Sequence, residues 1–193
     1  MITLLASLAL FATTAVAQDA ASAALRPPKG AEVAIVVFED LQCPDCRRAA
    51  PLLVEASKKY EIPVVVHDYP LPQHQWSYQA AVIARFFDGK SLQLGHDYRN
   101  YIYEHQLEVT ADNLRQFSDK FARDHNVDLP FVVDPQGKLA AEVDADKDLG
   151  NRIGIEHTPT IYVVSSKRQG KPFVEVVDRT QLYQLIDSMK RGE

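Results

Sequence analysis

Apolar positions along this chain switch between two rhythms, and the switches outline an order of elements. Ala34-Ile35-Val36-Val37-Phe38 is continuously apolar and mostly β-branched, the pattern of a strand covered on both faces. From Pro44 onward apolar residues recur at three- and four-residue spacing, at Ala49, Leu52, Leu53, Ala56 and Tyr60, which predicts a helix. Pro44 suits its first turn, whereas Pro51 falls inside it and is expected to kink it. Ile62 to His67 is a second apolar strand. Strand, helix, strand implies a parallel pair joined by a right-handed crossover.

The middle of the chain is helical throughout. Trp76, Ala80, Ile83 and Phe87 mark one amphipathic helix, and Leu94, Tyr98 and Tyr101 a second. Leu114, Phe117 and Phe121 mark a third, with Thr110 as its cap. A fourth is expected to start at Asp134-Pro135, carry Leu139 and Val143, and end near Gly150. Tyr98, Tyr101 and Tyr103 read as packing residues at helical period, and His74 as a capping histidine beside Trp76. Strand patterns return at Thr160-Ile161-Tyr162-Val163-Val164 and Phe173-Val174-Glu175-Val176-Val177, joined by a polar stretch short enough for a hairpin. Thr180 to Met189 closes the chain as a helix.

The ends and the charge place this domain. Residues 1–12 form a short apolar run, and Ala15-Val16-Ala17 fits an A-x-A cleavage pattern before Gln18. The run is too short to span a bilayer, and no Lys or Arg precedes it. The expectation is a signal peptide over 1–17, a loose Ala/Pro-rich leader over 18–30, and one domain over 31–193 with a helical insertion over about 73–151. Export, to the periplasm or its equivalent, would put the chain where disulfides persist. The formal net charge of −5 lies wholly after the proposed signal, and no block of Lys or Arg stands out, which argues against a nucleic-acid partner.

Cys43-Pro44-Asp45-Cys46 carries the chemistry, because it holds the only two cysteines in 193 residues. It follows the first strand and opens the first helix. A thiol there meets unpaired backbone N–H groups and the positive end of the helix dipole, both of which favour thiolate. The pattern points to thiol–disulfide exchange. A zinc site needs more ligands, yet no second C-x-x-C or H-x3-H accompanies this one, and the six histidines are scattered singly. A structural disulfide would close a tiny loop and remove little unfolded-state entropy. No metal or cofactor is expected.

Phe38-Glu39-Asp40-Leu41-Gln42-Cys43-Pro44-Asp45-Cys46-Arg47-Arg48, then Pro51, then Gly154-Ile155-Glu156-His157-Thr158-Pro159-Thr160 resembles the layout of DsbA-like thiol–disulfide oxidoreductases of the thioredoxin-fold superfamily. The similarity in order of elements covers roughly residues 31–190. It implies an α/β thioredoxin fold, a central mixed sheet flanked by helices, with an inserted helical subdomain. It also implies that Cys43 is the exposed redox cysteine and Cys46 its buried partner, with Pro44 and Asp45 tuning them. Pro159 would be a cis-proline facing the cysteines, and Thr158 and His157 would help bind an extended substrate peptide. Cysteine-containing protein substrates and a membrane redox partner follow from the same resemblance, and a monomer is expected.

Two departures stand out. Relatives often carry a buried acid six positions before the first cysteine, where this chain has Val37. Glu39 and Asp40 are acidic but are read as falling on other phases of the strand. Asp45 between the cysteines should disfavour thiolate at Cys43 and raise its pKa, giving a milder oxidant. Dithiol oxidation is the reading favoured by export and by the extra helices. A reductase or isomerase, a non-catalytic peptide holder of the same fold, and a Cys43/Cys46/His157 metal site remain as alternatives.

Overall fold

The computed structural model describes residues 23–193. The expected signal peptide and the first part of the leader lie outside the described residues. A seven-residue strand, β1 (Val33–Glu39), is buried along its whole length and sits inside a four-stranded sheet. It pairs in parallel with β2 (Val64–Asp68), with Ile35 opposite Val64. On its other edge it pairs antiparallel with β3 (Thr160–Ser165), which in turn pairs antiparallel with β4 (Phe173–Glu175). The order is β2-β1-β3-β4, a mixed sheet. Helix α1 (Pro44–Tyr60) supplies the crossover between β1 and β2. Four helices lie between β2 and β3: α2 (Ser77–Asp88), α3 (Leu92–Glu104), α4 (Leu114–Asp124) and α5 (Lys138–Ile153). Helix α6 (Leu182–Arg191) closes the chain.

Strand alternation divides the core. Ile35 and Val37 face Ala49, Leu53 and Ala56 of α1 and Leu182, Ile186 and Met189 of α6. Ala34, Val36 and Phe38 face the other way, toward Tyr162, Ile155 and Leu149. Both faces of β1 are therefore dry, which explains its unbroken apolar sequence. The inserted helices build a third cluster around Trp76, Phe87, Tyr98, Ile102 and Phe121, and Leu41, Cys43 and Cys46 belong to it. Phe87, Tyr98 and Phe121 pack with ring centroids 4.7–5.3 Å apart. Each such pair adds about 1 kcal/mol beyond burial. The cysteines thus lie where the sheet layer meets the helical insertion.

Several boundaries differ from the sequence expectation. Helix α1 continues through Pro51 as one 17-residue helix. Helix α4 starts at Leu114, because Thr110 and Asn113 satisfy each other's backbone N–H groups with their side chains, at 3.3 and 2.7 Å. Helix α5 starts at Lys138; the Asp134 carboxylate accepts from Ala140 N–H at 2.8 Å and so caps from outside the helix. It ends one turn later than expected, at Gly154, whose φ of +88° suits glycine. Thr180 belongs to a 3-10 turn over Arg179–Gln181, and β4 stops at Glu175.

Helix α3 approaches α2 closely at Gly95, where a Cβ would strike the Asp88 carboxylate. The space goes to an ion cluster. Arg99, 3% exposed, holds Asp88 Oδ1 at 2.9 Å, Asp68 Oδ2 at 3.1 Å and Glu39 Oε1 at 3.7 Å. Arg85 pairs with the same Asp68 at 2.6 Å and with Asp146, which also meets His67 Nδ1 at 2.7 Å. The C-terminal ends of β1 and β2 are fastened to α2, α3 and α5 by these charges.

Candidate active site

Cys43 is the N-cap of α1, with φ −74° and ψ 121°, and Pro44 fills the first helical position where a missing N–H costs nothing. Both cysteines are free thiols, so the geometry is that of the dithiol form. The backbone N–H groups of Asp45 and Cys46 turn toward Cys43, and the Cys46 thiol donates to it. The Cys46 contact is the largest influence, and together these donors outweigh burial and hold the Cys43 pKa at about 5, against 9.0 for an ordinary thiol. Cys46 moves the other way: burial pushes it well above the usual thiol range, and the charge of Glu39 adds to this. One sulfur is a thiolate at neutral pH and its neighbour is not.

Cys43 is less open than expected. It is 7% exposed and Cys46 2%, and both belong to the buried cluster that holds Leu41 and Trp76. The Thr158–Pro159 bond is cis. The Thr158 carbonyl is 3.3 Å from Cys43 Sγ, within reach of the thiol as donor. Gln106 reaches in from beyond α3 and donates to the carbonyls of Leu41 and Cys43, at 2.8 and 3.0 Å. His157 points to solvent. Among the described residues no three His, Cys, Asp or Glu side chains gather as metal ligands, so Cys43, Cys46 and His157 do not form the site that a metal reading requires.

The acidic residues around the pair correct the sequence reading. Glu39 is two positions beyond Val37 and therefore shares its strand face; the reading that put it on another phase was wrong. Val37 sits in the apolar cluster under α1, and the carboxylate comes one alternation later, buried. Burial pushes the Glu39 pKa up to about 7 although Arg99 opposes it. Glu39 also lines a cleft of about 200 Å³ with Lys58, His96, Arg99 and Tyr103. Tyr103, read from the sequence as packing, faces Glu39 and is raised by burial well above the usual phenol range.

Asp40 is wholly buried and serves the loop instead. Its carboxylate accepts from Gln42 N–H and Leu71 N–H at 2.7 Å each, from Ser77 Oγ at 2.5 Å, and meets His74 Nδ1 at 2.7 Å. That leaves its own N–H aimed at Cys46 Sγ, 3.4 Å away. His74 is thus a partner of Asp40 as well as a neighbour of the α2 start.

Cys43 is held low despite the neighbouring Asp45, against the expectation of a raised thiol. The Asp45 carboxylate is engaged by Arg179 at 2.8 Å and Arg48 at 3.0 Å, which hold it below the usual carboxylate range, the Arg179 hydrogen bond contributing most. Arg179 comes from 134 residues away, and no local pattern in the sequence announces it.

A thiolate-favouring cysteine at a helix N-terminus, a buried second thiol and a cis-proline segment across from them define a redox-active dithiol on a thioredoxin-type sheet. The comparisons agree with that class. The family model described as thioredoxin matches residues 28–181, and the chain belongs to that family. Among solved structures it is similar to the thiol-disulfide exchange protein alpha-DsbA2 from Wolbachia pipientis, at 16% identity and a TM-score of 0.67, covering 92% of this chain and 97% of that one. A periplasmic thioredoxin-like protein from Salmonella enterica serovar Typhimurium matches at 20% identity and 0.68, with 88% and 95% covered. ScsC from Proteus mirabilis matches at 18% and 0.68, with 97% and 88% covered. These likenesses establish the shared DsbA-type fold with its inserted helices. Comparison of the sequence with curated proteins returns no match.

Proposed function

We propose that the protein is an exported thiol–disulfide oxidoreductase that oxidises dithiols in cysteine-containing protein substrates. The observation that carries this reading is the unequal pair: a Cys43 held near pKa 5 beside a Cys46 raised by burial. A low-pKa sulfur is a good leaving group and stabilises the reduced enzyme, the property of a disulfide donor. Residues 1–17 serve as the export signal and 18–30 as the leader in this reading. Among the described residues no helix is long and apolar enough to cross a membrane.

The reaction starts from the Cys43–Cys46 disulfide. A substrate thiolate attacks Cys43 Sγ, the Cys43–Cys46 bond breaks, and Cys46 leaves as a thiolate. Glu39, about half protonated near neutral pH, gives Cys46 its proton. A second substrate thiol loses its proton to solvent and attacks the substrate sulfur of the mixed disulfide. Cys43 leaves as thiolate, the substrate gains a disulfide, and two electrons stay on the enzyme as a dithiol. A membrane redox partner then takes those electrons. The cis Thr158-Pro159 segment, whose Thr158 carbonyl lies beside Cys43 Sγ, is the place for main-chain pairing with an extended peptide, which is tolerant of sequence.

Titration against glutathione buffers, counting free thiols at each point, tests the direction. A potential near or above about −180 mV is expected; one near or below about −270 mV would make the protein a reductant and overturn the oxidase reading. Cys43→Ser separates an enzyme from a peptide holder. Turnover should vanish, and full retention of the wild-type effect on substrate peptides would favour the holder.

A further inference from the structure

Asp45 places a carboxylate within the redox motif, yet Cys43 beside it is held well below the ordinary thiol range. The carboxylate meets its partner in the C-terminal turn. Arg179 Nη2 donates to Asp45 Oδ1 at 2.8 Å while Nη1 donates to the Asp45 main-chain carbonyl at 3.3 Å. One guanidinium therefore grips the side chain and the backbone of the same residue, a geometry that a lysine cannot reproduce. Arg48 adds a second, more exposed contact from within α1.

The turn that carries Arg179 is itself fixed. Asp178 accepts from the Thr180 N–H at 2.9 Å and from its hydroxyl at 2.7 Å, shaping the 3-10 turn. Val176 N–H donates to the Ile161 carbonyl at 2.8 Å, two residues after Pro159. Arg179 is thus held in register with the strand that carries the cis-proline segment, and it reaches across to the other side of the site.

We propose, resting on the redox reading above, that Arg179 is a positioning residue for Cys43. By gripping Asp45 it cancels the carboxylate's field at the sulfur and fixes the peptide groups whose N–H bonds face that sulfur. The charged and titratable groups around Cys43 are Cys46 and Asp45 on α1, Arg48 one turn on, and Arg179 from the C-terminal turn; His157, next to Thr158, points to solvent.

The test is a pair of readings on four proteins: wild type, Arg179→Met, Asp45→Asn, and the double variant. The first is thiolate absorbance of Cys43 against pH; the second is the redox potential against glutathione. Arg179→Met uncovers Asp45 and should raise the proton affinity of Cys43 about fivefold, the scale of one partly exposed ion pair. The potential should fall by the same factor in the exchange constant, about 20 mV. Higher salt should shrink both shifts. In the Asp45→Asn background the Arg179 substitution should change either reading by less than about twofold. Arg179→Lys keeps the charge but loses the fork, and should fall between wild type and Arg179→Met.

Shifts of equal size with and without the Asp45 carboxylate would overturn the proposal, since Arg179 would then act on the sulfur directly. So would an Arg179→Met protein that titrates like wild type. If Arg179→Met does not fold, Arg179→Lys and its Asp45→Asn double carry the same comparison. The absorbance titration needs no substrate. A protein that shows the coupled shifts but exchanges no disulfide would sink the function proposed above and leave this inference standing.

Discussion

Moving the dithiol protein from pH 8 to pH 5 should strip away a stability advantage that it holds over its own disulfide form. Cys43 in the unfolded chain keeps its proton up to about pH 9, whereas in the fold it releases it near pH 5. Between those limits the unfolded state binds more protons at this group, so the contribution of Cys43 to the stability of the dithiol form rises with pH, while Glu39 titrates in both forms and drops out of their difference. The slope is about 1.4 kcal/mol per pH unit. At pH 7 the full effect is about 2.7 kcal/mol, and solvent screening at the rim of the site discounts it to about 1–2 kcal/mol. Cys46, raised by burial, stays protonated in both states below pH 9 and adds nothing there. The disulfide form has no thiol to titrate. Urea unfolding of both forms at pH 5, 6, 7 and 8, at fixed ionic strength, reads the difference directly. Trp76, the single tryptophan and 4% exposed, is the natural fluorescent probe. The advantage should be near zero at pH 5 and grow with each step. A difference that is flat, or that runs the opposite way, would refute the claim that the fold stabilises the Cys43 thiolate.

Three further substitutions probe the surroundings. Glu39→Gln removes a buried carboxyl whose pKa is raised from 4.5 to about 7, so its cost is absent below pH 4.5 and complete above pH 7. The variant should match wild type at pH 4 and gain roughly 3 kcal/mol at pH 8, while losing the inflection near pH 7 in the release of Cys46; a pH-independent difference would contradict this. Asp40→Ala strands the buried Leu71 N–H and Ser77 hydroxyl and should cost roughly 3 kcal/mol in denaturant unfolding. It should also slow alkylation-trapped resolution by Cys46, whose N–H contact Asp40 positions. Gly95→Ala drives a methyl into the Asp88 carboxylate and should lower stability by about 1–3 kcal/mol; a thermal midpoint equal to wild type would show that the helices separate freely there.

Much of this architecture was legible in the sequence because it rests on periodicity. The unbroken apolar run of β1, the three-and-four spacing of α1 and the polar link before β4 each reflect which faces are dry, and each element appears where its pattern lies. Helix starts at Thr110 and Asp134 were displaced because both residues cap from a turn away, which a one-dimensional pattern does not distinguish from an N-cap. At the site, the cysteines and the cis Thr158-Pro159 bond were within reach of local motifs. Glu39 shares the face of Val37 by simple strand alternation, so its position two residues on was signal enough. Asp45 was misjudged for a deeper reason. Its field depends on Arg179, and the partner of a charge 134 residues away is a property of the folded chain. Arg99 was missed in the same way, since its three carboxylates come from β1, β2 and α2.

The cluster around Arg99 has a bearing on how such a chain can change over generations. Removing Arg99 leaves buried Glu39 without its cation and Asp68 and Asp88 with Arg85 alone, a cost of several kcal/mol that few domains tolerate. Removing any one acid first is milder, because the cation keeps two partners. Descent therefore has a permitted order: the acids must be relinquished before the arginine. The arginine acts as a ratchet pin, and lineages that inherit it would exchange the set as a block or keep it whole.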